Sequence, residues 1–485
     1  MRKAFSRQGR LDGGRVLDVA LNLNCRHEII PVLRALQHVY ATPQLRDKIL
    51  LLIEQDVLGA GSAERGREGL DYWHILVLAA VRQGCNLDYD CLQDLAENHC
   101  NLRSIMGLGD WKDIDLSARR IRDNIGLLPP ETIEAISHAI VAEGQRLVPE
   151  AVERARADSF VVETNIHYPT DSSLIVDGIR KVIELCVPLA IALGLDGWRQ
   201  HEQLLKAIRG VARQIDRIAA KKGPNYQQRL KTAYATLLRK SGRVLVRARA
   251  LCAVLQKPSA EFAGIGDLTT LMNFIDRTDR VRNIARRRVI HGETVPNSDK
   301  IFSMFEPHTQ LYKRGTAGEP VQFGRLVLVY EDAAGFIIHH HLMARALGDR
   351  DVATEQTRIV QARCGGKIKE LSFDCGFHSP DNQTDLSGLI DNLCLPKPGP
   401  KQAAEQTATA SATFHRARKR HPGIESAIGA LQSGNGLERC RDRGEPGFER
   451  YLALGILGRN LHVLGRVLIA QENAECAAGR SQRAA

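Results

Sequence analysis

The sequence predicts an α+β fold that is predominantly helical, with a mixed sheet interrupted by a large helical insertion. Three patterns predict it: apolar residues at helical spacing up to about residue 143, strand patterns at 157–162 and after residue 324, and a long basic helical stretch between them. With 485 residues the chain is long enough for two to four domains. Its 44% hydrophobic and 25% charged residues exclude a disordered chain and a collagen-like fibre.

Residues 1–150 are predicted to form a helical N-terminal domain. Leu45, Ile49 and Ile53 lie on one apolar stripe at helical spacing. Asp88 is placed to cap the helix that follows it, and two prolines stand just before a helix over 131–143. No strand pattern occurs before residue 145.

Strand patterns follow this domain. The first strand starts at 157–162, and strands at 325–330 and 335–340 flank a short turn and so predict a hairpin. The next predicted elements are a helix over 351–361, a strand over 367–373, a helix over 383–389, a strand over 392–395 and a helix from about residue 422. Three antiparallel strands followed by parallel α/β units is the order of a ribonuclease-H-like fold.

We therefore predict a ribonuclease-H-like mixed sheet core over 151–176 and 311–470, with a flexible tail over 471–485. A basic helical insertion over 177–310 divides this core. Arg209, Arg213 and Arg217 form one basic stripe along a helix of the insertion. The stripe is either a solvated surface or a phosphate-contacting one.

Charge and targeting signals restrict the class of partner. A net charge of +11 and a pI near 9.2 favour a polyanionic partner, although composition does not distinguish DNA, RNA and an anionic membrane. Eleven cysteines without a C-x-x-C pair indicate reduced thiols of an intracellular protein. The N-terminus has no apolar stretch behind its basic residues, which predicts no export. The apolar stretch at 451–470 contains arginines and a histidine and predicts a buried helix, not a membrane span.

Three acidic residues stand where such a core places its chemistry. Asp158 lies in the first strand, Asp374 ends a later strand, and Glu425 opens the helix after residue 422. Mg²⁺ prefers oxygen ligands and keeps several waters, so a few convergent carboxylates suffice to bind it. Two such ions can activate an attacking oxygen and neutralise the leaving oxygen at a phosphodiester.

The segments around these acids resemble the catalytic blocks of DDE-type insertion-sequence transposases. The three blocks are DSFVVETNIHYPTD at 158–171, FDCGFHSP at 373–380 and HPGIES at 421–426. Further segments similar to that family are LDYDCL at 87–92, LYKRGTAGEPVQFG at 311–324, GLERC at 436–440 and RNL at 459–461. The resemblance spans roughly residues 44–466.

The resemblance implies that Asp158, Asp374 and Glu425 are the metal-binding DDE triad, with Mg²⁺ as cofactor and Mn²⁺ as a possible substitute. Asp171 is the nearest rival for the first ligand. We prefer Asp158 because a strand residue is better placed at the centre of the sheet. Rivals for the third ligand follow the glycines at 434 and 436, away from the expected helix. They are Glu438, Glu445 and Glu449.

The implied function is a DNA transposase that binds the terminal inverted repeats of its own element through the N-terminal domain. It would cleave a strand and transfer the 3′-OH into target DNA, as a homodimer or larger assembly on DNA, in the bacterial cytoplasm and associated with the nucleoid. Basic residues are predicted to contact the DNA duplex. They are Arg286, Arg287, Arg288, Lys313, Arg314, Arg418, Lys419, Arg420 and Arg439.

Two alternatives stay open: a metal-dependent nuclease without strand transfer, and a catalytically inactive, domesticated DNA-binding protein. No Walker motif is present, so no nucleotide cofactor is expected. The tract at 339–341 contains three consecutive histidines, but adjacent strand residues point to opposite faces and do not converge on one ion. Cys364 and Cys375 are expected to be core thiols.

Overall fold

The fold comes from a computed structural model that describes residues 3, 15–58, 69–109, 114–256, 265–313, 321–399 and 412–484. It is α+β, about 65% helical, with a mixed six-stranded sheet. The chain divides into two compact units. The core unit comprises Met1–Thr164 and Arg325–Ala485, and the helical unit comprises Asn165–Gly324. The predicted N-terminal domain lies in the core unit, and the predicted insertion lies in the helical unit.

Helices fill the described part of the core unit before residue 149. They are α1 (Ile29–Ala41), α2 (Pro43–Leu58), α3 (Tyr72–Gly84), α4 (Tyr89–Asn98), α5 (Cys100–Ile105), α6 (Ala118–Ile125) and α7 (Pro130–Leu147). The Asp88 carboxylate accepts a hydrogen bond from the Cys91 amide at 2.7 Å, so the predicted cap of α4 is confirmed. Pro130 is the first residue of α7, where its missing N–H costs no hydrogen bond.

The helical unit follows β1. Its elements are α8 (Asp171–Ala192), α9 (His201–Lys221), α10 (Tyr226–Leu255), α11 (Ile265–Ala285), a π-helical turn (Arg286–Ile290), β2 (Gln310–Lys313) and the first residues of β3. Its core contains apolar residues from all four helices, among them Ile179, Ile215, Leu237 and Phe274. Pairing of Gln310 with Gly324 joins β2 to the start of β3.

The remaining elements belong to the core unit, apart from the start of β3. They are β1 (Arg154–Glu163), β3 (Val321–Asp332), β4 (Ile337–Leu342), α12 (Asp349–Arg363), β5 (Glu370–Ser372), α13 (Pro380–Ser387), β6 (Asn392–Cys394), α14 (Ala412–Arg420), α15 (Gly423–Gly429) and α16 (Glu445–Ala484). A π-helical turn (Ala430–Gly434) follows α15.

The sheet has the strand order β2-β3-β1-β5-β6, and β4 also pairs with β3. The β3–β4 and β2–β3 pairs are antiparallel, whereas β1–β5 and β5–β6 are parallel. The predicted hairpin is confirmed: the Asp332 carboxylate accepts hydrogen bonds from the amides of Ala334 and Phe336, which closes the turn between β3 and β4. The sheet is therefore mixed, as predicted.

Several predicted boundaries differ from the observed ones. β5 covers only 370–372 of the predicted 367–373, and its neighbour Lys369 donates its amide to Glu153 just before β1. α13 begins at Pro380, earlier than predicted, because Ser379 caps it by accepting from the Asn382 amide. α16 continues through Ala484, so the predicted tail boundary at residue 470 does not coincide with the end of a helix.

Helix α16 packs against α1, α3 and α7 and so forms the centre of the N-terminal helical layer. Two glycines permit close crossings. A β-carbon at Gly458 would lie 2.8 Å from the backbone nitrogen of Gly84, and one at Gly465 would overlap the carbonyl oxygen of Pro31. By length and hydropathy alone α16 could span a bilayer, but 72% of its most apolar window is buried in the protein. Core helices of this kind pass the same test, so the helix is weak evidence for a membrane span.

Replacing Gly465 by alanine should destabilise the protein by about 1–3 kcal/mol, because the new methyl group overlaps backbone that cannot rotate away. The matched control is Gly210→Ala in α9, where a β-carbon meets no atom within 4 Å. There alanine should add about 0.5–1 kcal/mol through its higher helix propensity. Urea unfolding followed by circular dichroism measures both. Equal shifts for the two variants would show that α16 does not pack tightly on α1.

Candidate active site

The position of Asp158 follows from the alternation of side chains along β1. Phe160 and Val162 belong to the core cluster that also contains Ile424 and Ile428 of α15. Alternate residues of a strand share a face, so Asp158 lies on the sheet face that α15 covers. Asp158 is half-buried, and its carboxylate accepts from the Ser159 amide at 2.7 Å.

Asp374 lies beside Asp158 by strand register. β1 and β5 are parallel, with Arg156 opposite Ser372. Asp158 and Asp374 each follow that pair by two residues, and the backbone of Asp374 stays extended with φ −75° and ψ 163°. Asp158 therefore lies within β1, and Asp374 lies at the equivalent step just beyond the end of β5. Asp374 is exposed and caps a short 3₁₀ turn by accepting from the Cys375 amide.

Glu425 reaches the same region from the first turn of α15. Ile424, Ala427 and Ile428 are its buried neighbours and fix the helix on the sheet, while Glu425 itself is exposed. His421, just before α15, lies 3.2 Å from the Ser372 hydroxyl through its Nδ1 atom. Burial lowers the pKa of His421, and the nearby carboxylates of Asp374 and Glu425 oppose that shift. Both acids thus act electrostatically on one imidazole.

Arg156 joins β1 to α15. Its Nε atom donates to the Glu331 carboxylate at 2.6 Å, and one of its terminal nitrogens donates to the carbonyl of Arg420 at 3.1 Å. The guanidinium also fills the space where a β-carbon of Gly423 would be. Glu331 is 2% exposed and has Arg459 as a second cation at 3.8 Å. Arg156 therefore stabilises the start of α15 two residues before Glu425.

The donor set suits a hard divalent cation. Asp374 and Glu425 form no ion pair with a lysine or arginine within the described residues. Carboxylate oxygens are the ligands that Mg²⁺ takes. In the part of the chain that the structure describes, no group of three or more His, Cys, Asp or Glu side chains is arranged closely enough to hold an ion.

The rival acids lie in other surroundings. Asp171 opens α8 in the helical unit, where it pairs with Arg288 at 2.8 Å, and burial raises its pKa against the opposing effect of that arginine. Glu445 opens α16 and pairs with Arg325 at 2.9 Å. Glu438 lies in the backbone bridge to the end of β1, where its carbonyl accepts from the Glu163 amide. Burial raises the pKa of Glu449, which lies on α16 with Glu445.

The basic residues predicted to contact DNA lie in different environments. In the core unit, Arg418, Lys419 and Arg420 form the exposed last turn of α14, and Arg420 lies 3.4 Å from Glu370. Arg418 acts electrostatically on Cys375, which neighbours Asp374. Arg439 pairs with Glu163 at 2.8 Å beyond the end of β1.

The predicted DNA-contacting residues of the helical unit also lie in different environments. Arg287 pairs with Glu293 at 2.7 Å and Arg288 with Asp171, so carboxylates already neutralise both. Arg286 is exposed and lines a cleft with other arginines. Lys313 is exposed at the end of β2, and Arg314 lies outside the described residues.

The histidines at 339–341 point in different directions, as predicted. Arg363 donates to Nδ1 of His339 at 2.7 Å, so Nε2 carries the proton that it shares with Gln356 at 2.8 Å. His340 instead lies 3.2 Å from Glu134 of α7. Cys364 is buried, as expected, but Cys375 is only half-buried, so the prediction of a core thiol was wrong there.

Buried neutral histidines should make the protein acid-labile. Burial lowers the pKa of His339 to about 3 and those of His138 and His462 to about 4. The unfolded chain therefore binds protons below pH 6.5 that the folded chain refuses. The free energy of unfolding should fall as the pH drops from about 6.5 towards 4, by up to about 1.4 kcal/mol per pH unit and proton. His339→Asn should flatten this dependence in urea titrations at several pH values, and an unchanged slope would contradict the assignment.

Sequence reasoning missed Arg156, Ser372 and the role of His421. Arg156 stands two residues before Asp158, so strand alternation alone would have placed it on the same face. The contacts of Arg156 with Glu331 and Gly423 depend on how the helix packs on the sheet, and no local pattern shows them.

The chain was compared with protein-family models, curated proteins and solved structures. None matches significantly.

Proposed function

We propose that the chain is a DDE-type DNA transposase with a ribonuclease-H-like catalytic core. One arrangement carries the proposal: Asp158 lies in β1 and Asp374 just beyond the end of β5, each two residues past the paired Arg156 and Ser372, and Glu425 lies on the helix that packs on the apolar side chains of β1. The strand order supports it, since β4, β3 and β1 are consecutive and parallel strands β5 and β6 continue the sheet.

The three carboxylates would hold Mg²⁺, or Mn²⁺ in its place. When bound, the metal supplies positive charge that activates an attacking oxygen and stabilises the leaving one. Arg156 and the Ser372–His421 contact position the start of α15 and hence Glu425. Arg418 and Lys419 are exposed in the last turn of α14, and Arg418 acts electrostatically on Cys375, next to Asp374. Both would offer cations to DNA phosphates.

The proposed substrates are the terminal inverted repeats of a mobile element and a target duplex, bound by a homodimer or larger assembly in the bacterial cytoplasm. End recognition is assigned to the N-terminal helices. Because α1, α3 and α7 cover α16, deleting residues 1–150 would expose the core and test folding instead of recognition. Substitution of exposed residues on α6, such as Arg119 and Arg122, is the better test.

The decisive experiment uses the purified full chain with a DNA duplex carrying the sequences that flank its reading frame, in Mg²⁺. We expect nicking at the repeat boundary and joining of the 3′ end to a second duplex. Nicking without joining would favour the metal-dependent nuclease, and selective binding without nicking would favour a domesticated DNA-binding protein. Absence of both binding and nicking would refute the proposal.

A further inference from the structure

A cleft of about 800 Å³ lies between α10 and α11 in the helical unit. Six of the twelve residues that line it are arginines, and none is acidic. The arginines are Arg239, Arg243, Arg247, Arg249, Arg282 and Arg286. Such a concentration of one charge is costly unless an anion neutralises it.

Few of these arginines are neutralised by carboxylates. Arg249 and Arg282 share Asp279, with a 2.7 Å contact for Arg249. Arg239, Arg243 and Arg286 are exposed and have no ion pair within the described residues. The cleft therefore keeps several uncompensated cations.

Hydrogen bonds between the two helices hold a buried arginine at the base of the cleft. Arg282 is only 9% exposed and donates to the Ser241 hydroxyl at 3.0 Å and to the carbonyl of Leu238 at 2.9 Å. These bonds fix α11 against α10 and hold one guanidinium at the base of the cleft. The π-helical turn after α11 brings Arg286, Ile290 and His291 to its rim. Such turns often occur at functional sites.

The spacing of the cations matches a polymer, not a small anion. Arg239, Arg243 and Arg247 follow one another at four-residue intervals along α10, or about 6 Å per step. Their row spans about 12 Å, and phosphates of one DNA strand advance about 3.4 Å each along the duplex axis. The row is therefore long enough to offer its cations to several phosphates of one strand.

We propose that this arginine cleft binds the phosphodiester backbone of duplex DNA. It is a second contact surface, separate from the carboxylate site in its residues and in its chemistry. The inference rests on the proposed function, because it deepens that function by naming where the helical unit contacts DNA. Contacts to phosphates fix the position of a duplex without reading its sequence.

The test compares two triple variants of the full chain. R239Q/R243Q/R286Q removes three cations from the cleft, and R209Q/R213Q/R217Q removes three exposed cations from the basic stripe of α9. The probe is a fluorescein-labelled mixed-sequence duplex several helical turns long, with anisotropy measured over a series of salt concentrations. The cleft variant should lose about 2.7 from the slope of log K against log salt, and on the order of 100-fold in affinity at 150 mM salt. The α9 variant should keep the parental slope.

Each other outcome has a distinct meaning. Equal losses of DNA affinity in both variants would show that net charge alone matters, and would overturn the assignment of DNA binding to the cleft. Parental binding by the cleft variant would place the DNA elsewhere and overturn the inference while leaving the proposed function intact. Parental protein that binds no DNA would refute the proposed function itself. A last control uses inorganic triphosphate. If it binds the parental protein as tightly as the duplex does, and does not bind the cleft variant, the cleft is a small-anion site and the inference is overturned.

Discussion

Single replacement of Asp158 or Asp374 by asparagine, or of Glu425 by glutamine, should reduce cleavage of end DNA by about 10³-fold or more. Each change removes one anionic oxygen while keeping the size of the side chain. Cations held by fewer than three carboxylates lose charge compensation, and the stabilisation of the phosphate transition state falls with them. Gel assays with Mg²⁺ and with Mn²⁺ measure nicking and joining separately. Cleavage close to the parental rate would refute the triad.

The same variants should fold and bind DNA. Asp374 and Glu425 are exposed and unpaired with cations in the described part of the chain, so neutralising either relieves repulsion and costs no ion pair. End-DNA affinity should be parental or higher. Mn²⁺ should raise the melting temperature of the parent more than that of the variants, because a ligand stabilises only a state that binds it. This shift does not depend on activity.

Asp171→Asn is the matched control for the first ligand. Asp171 pairs with Arg288 and opens α8, so the change should lower the stability of the helical unit and leave cleavage much less affected than Asp158→Asn does. If Asp171→Asn abolishes cleavage while Asp158→Asn leaves it near normal, the first ligand is misassigned.

Much of the sheet could be predicted from local patterns. The β-branched residues at 161–162 located β1, and the short turn between two apolar runs located the β3–β4 hairpin, because both signals depend on neighbours in sequence. The ends of β5 and α13 were harder, since backbone bonds from Lys369 to Glu153 and a cap at Ser379 determine them. Neither the hydrophobic period nor the helix and strand propensities of a segment reveal such partners.

The long-range contacts lie beyond any local pattern. The packing of α16 on α1 joins segments more than 400 residues apart through Gly465 and Pro31. Arg288 was predicted to contact DNA, but folding pairs it with Asp171, which is 117 positions earlier. Arg239, Arg243 and Arg286 read as separate basic residues in sequence, and the crossing of α10 and α11 brings them to one cleft. The net charge predicts a polyanionic partner but does not show which surface of the protein binds it.

Arg156→Met should destabilise the core unit by about 3–5 kcal/mol, a large part of the stability of a typical domain. Methionine keeps the apolar stem but leaves the buried Glu331 with Arg459, at 3.8 Å, as its one cation among the described residues. Burial already raises the pKa of Glu331, and the loss of Arg156 removes the stronger of the two cations that oppose this shift. Arg154→Met is the control, since Arg154 lies on the same strand but is exposed.

A double-mutant cycle separates the ion pair from packing. Glu331→Gln removes the buried charge, so Arg156→Met should cost less in that background than in the parent, by about 1–3 kcal/mol of coupling. The loss of the Arg156 bond to the Arg420 carbonyl and of its contact with Gly423 should remain in both backgrounds, and should still slow cleavage by displacing Glu425. Urea unfolding measures the coupling free energy, and the nicking assay measures the effect of displacing Glu425 on the cleavage rate. Strict additivity of the two substitutions would mean that Arg156 acts by packing alone, whereas parental cleavage by Arg156→Met would show that α15 holds Glu425 without it.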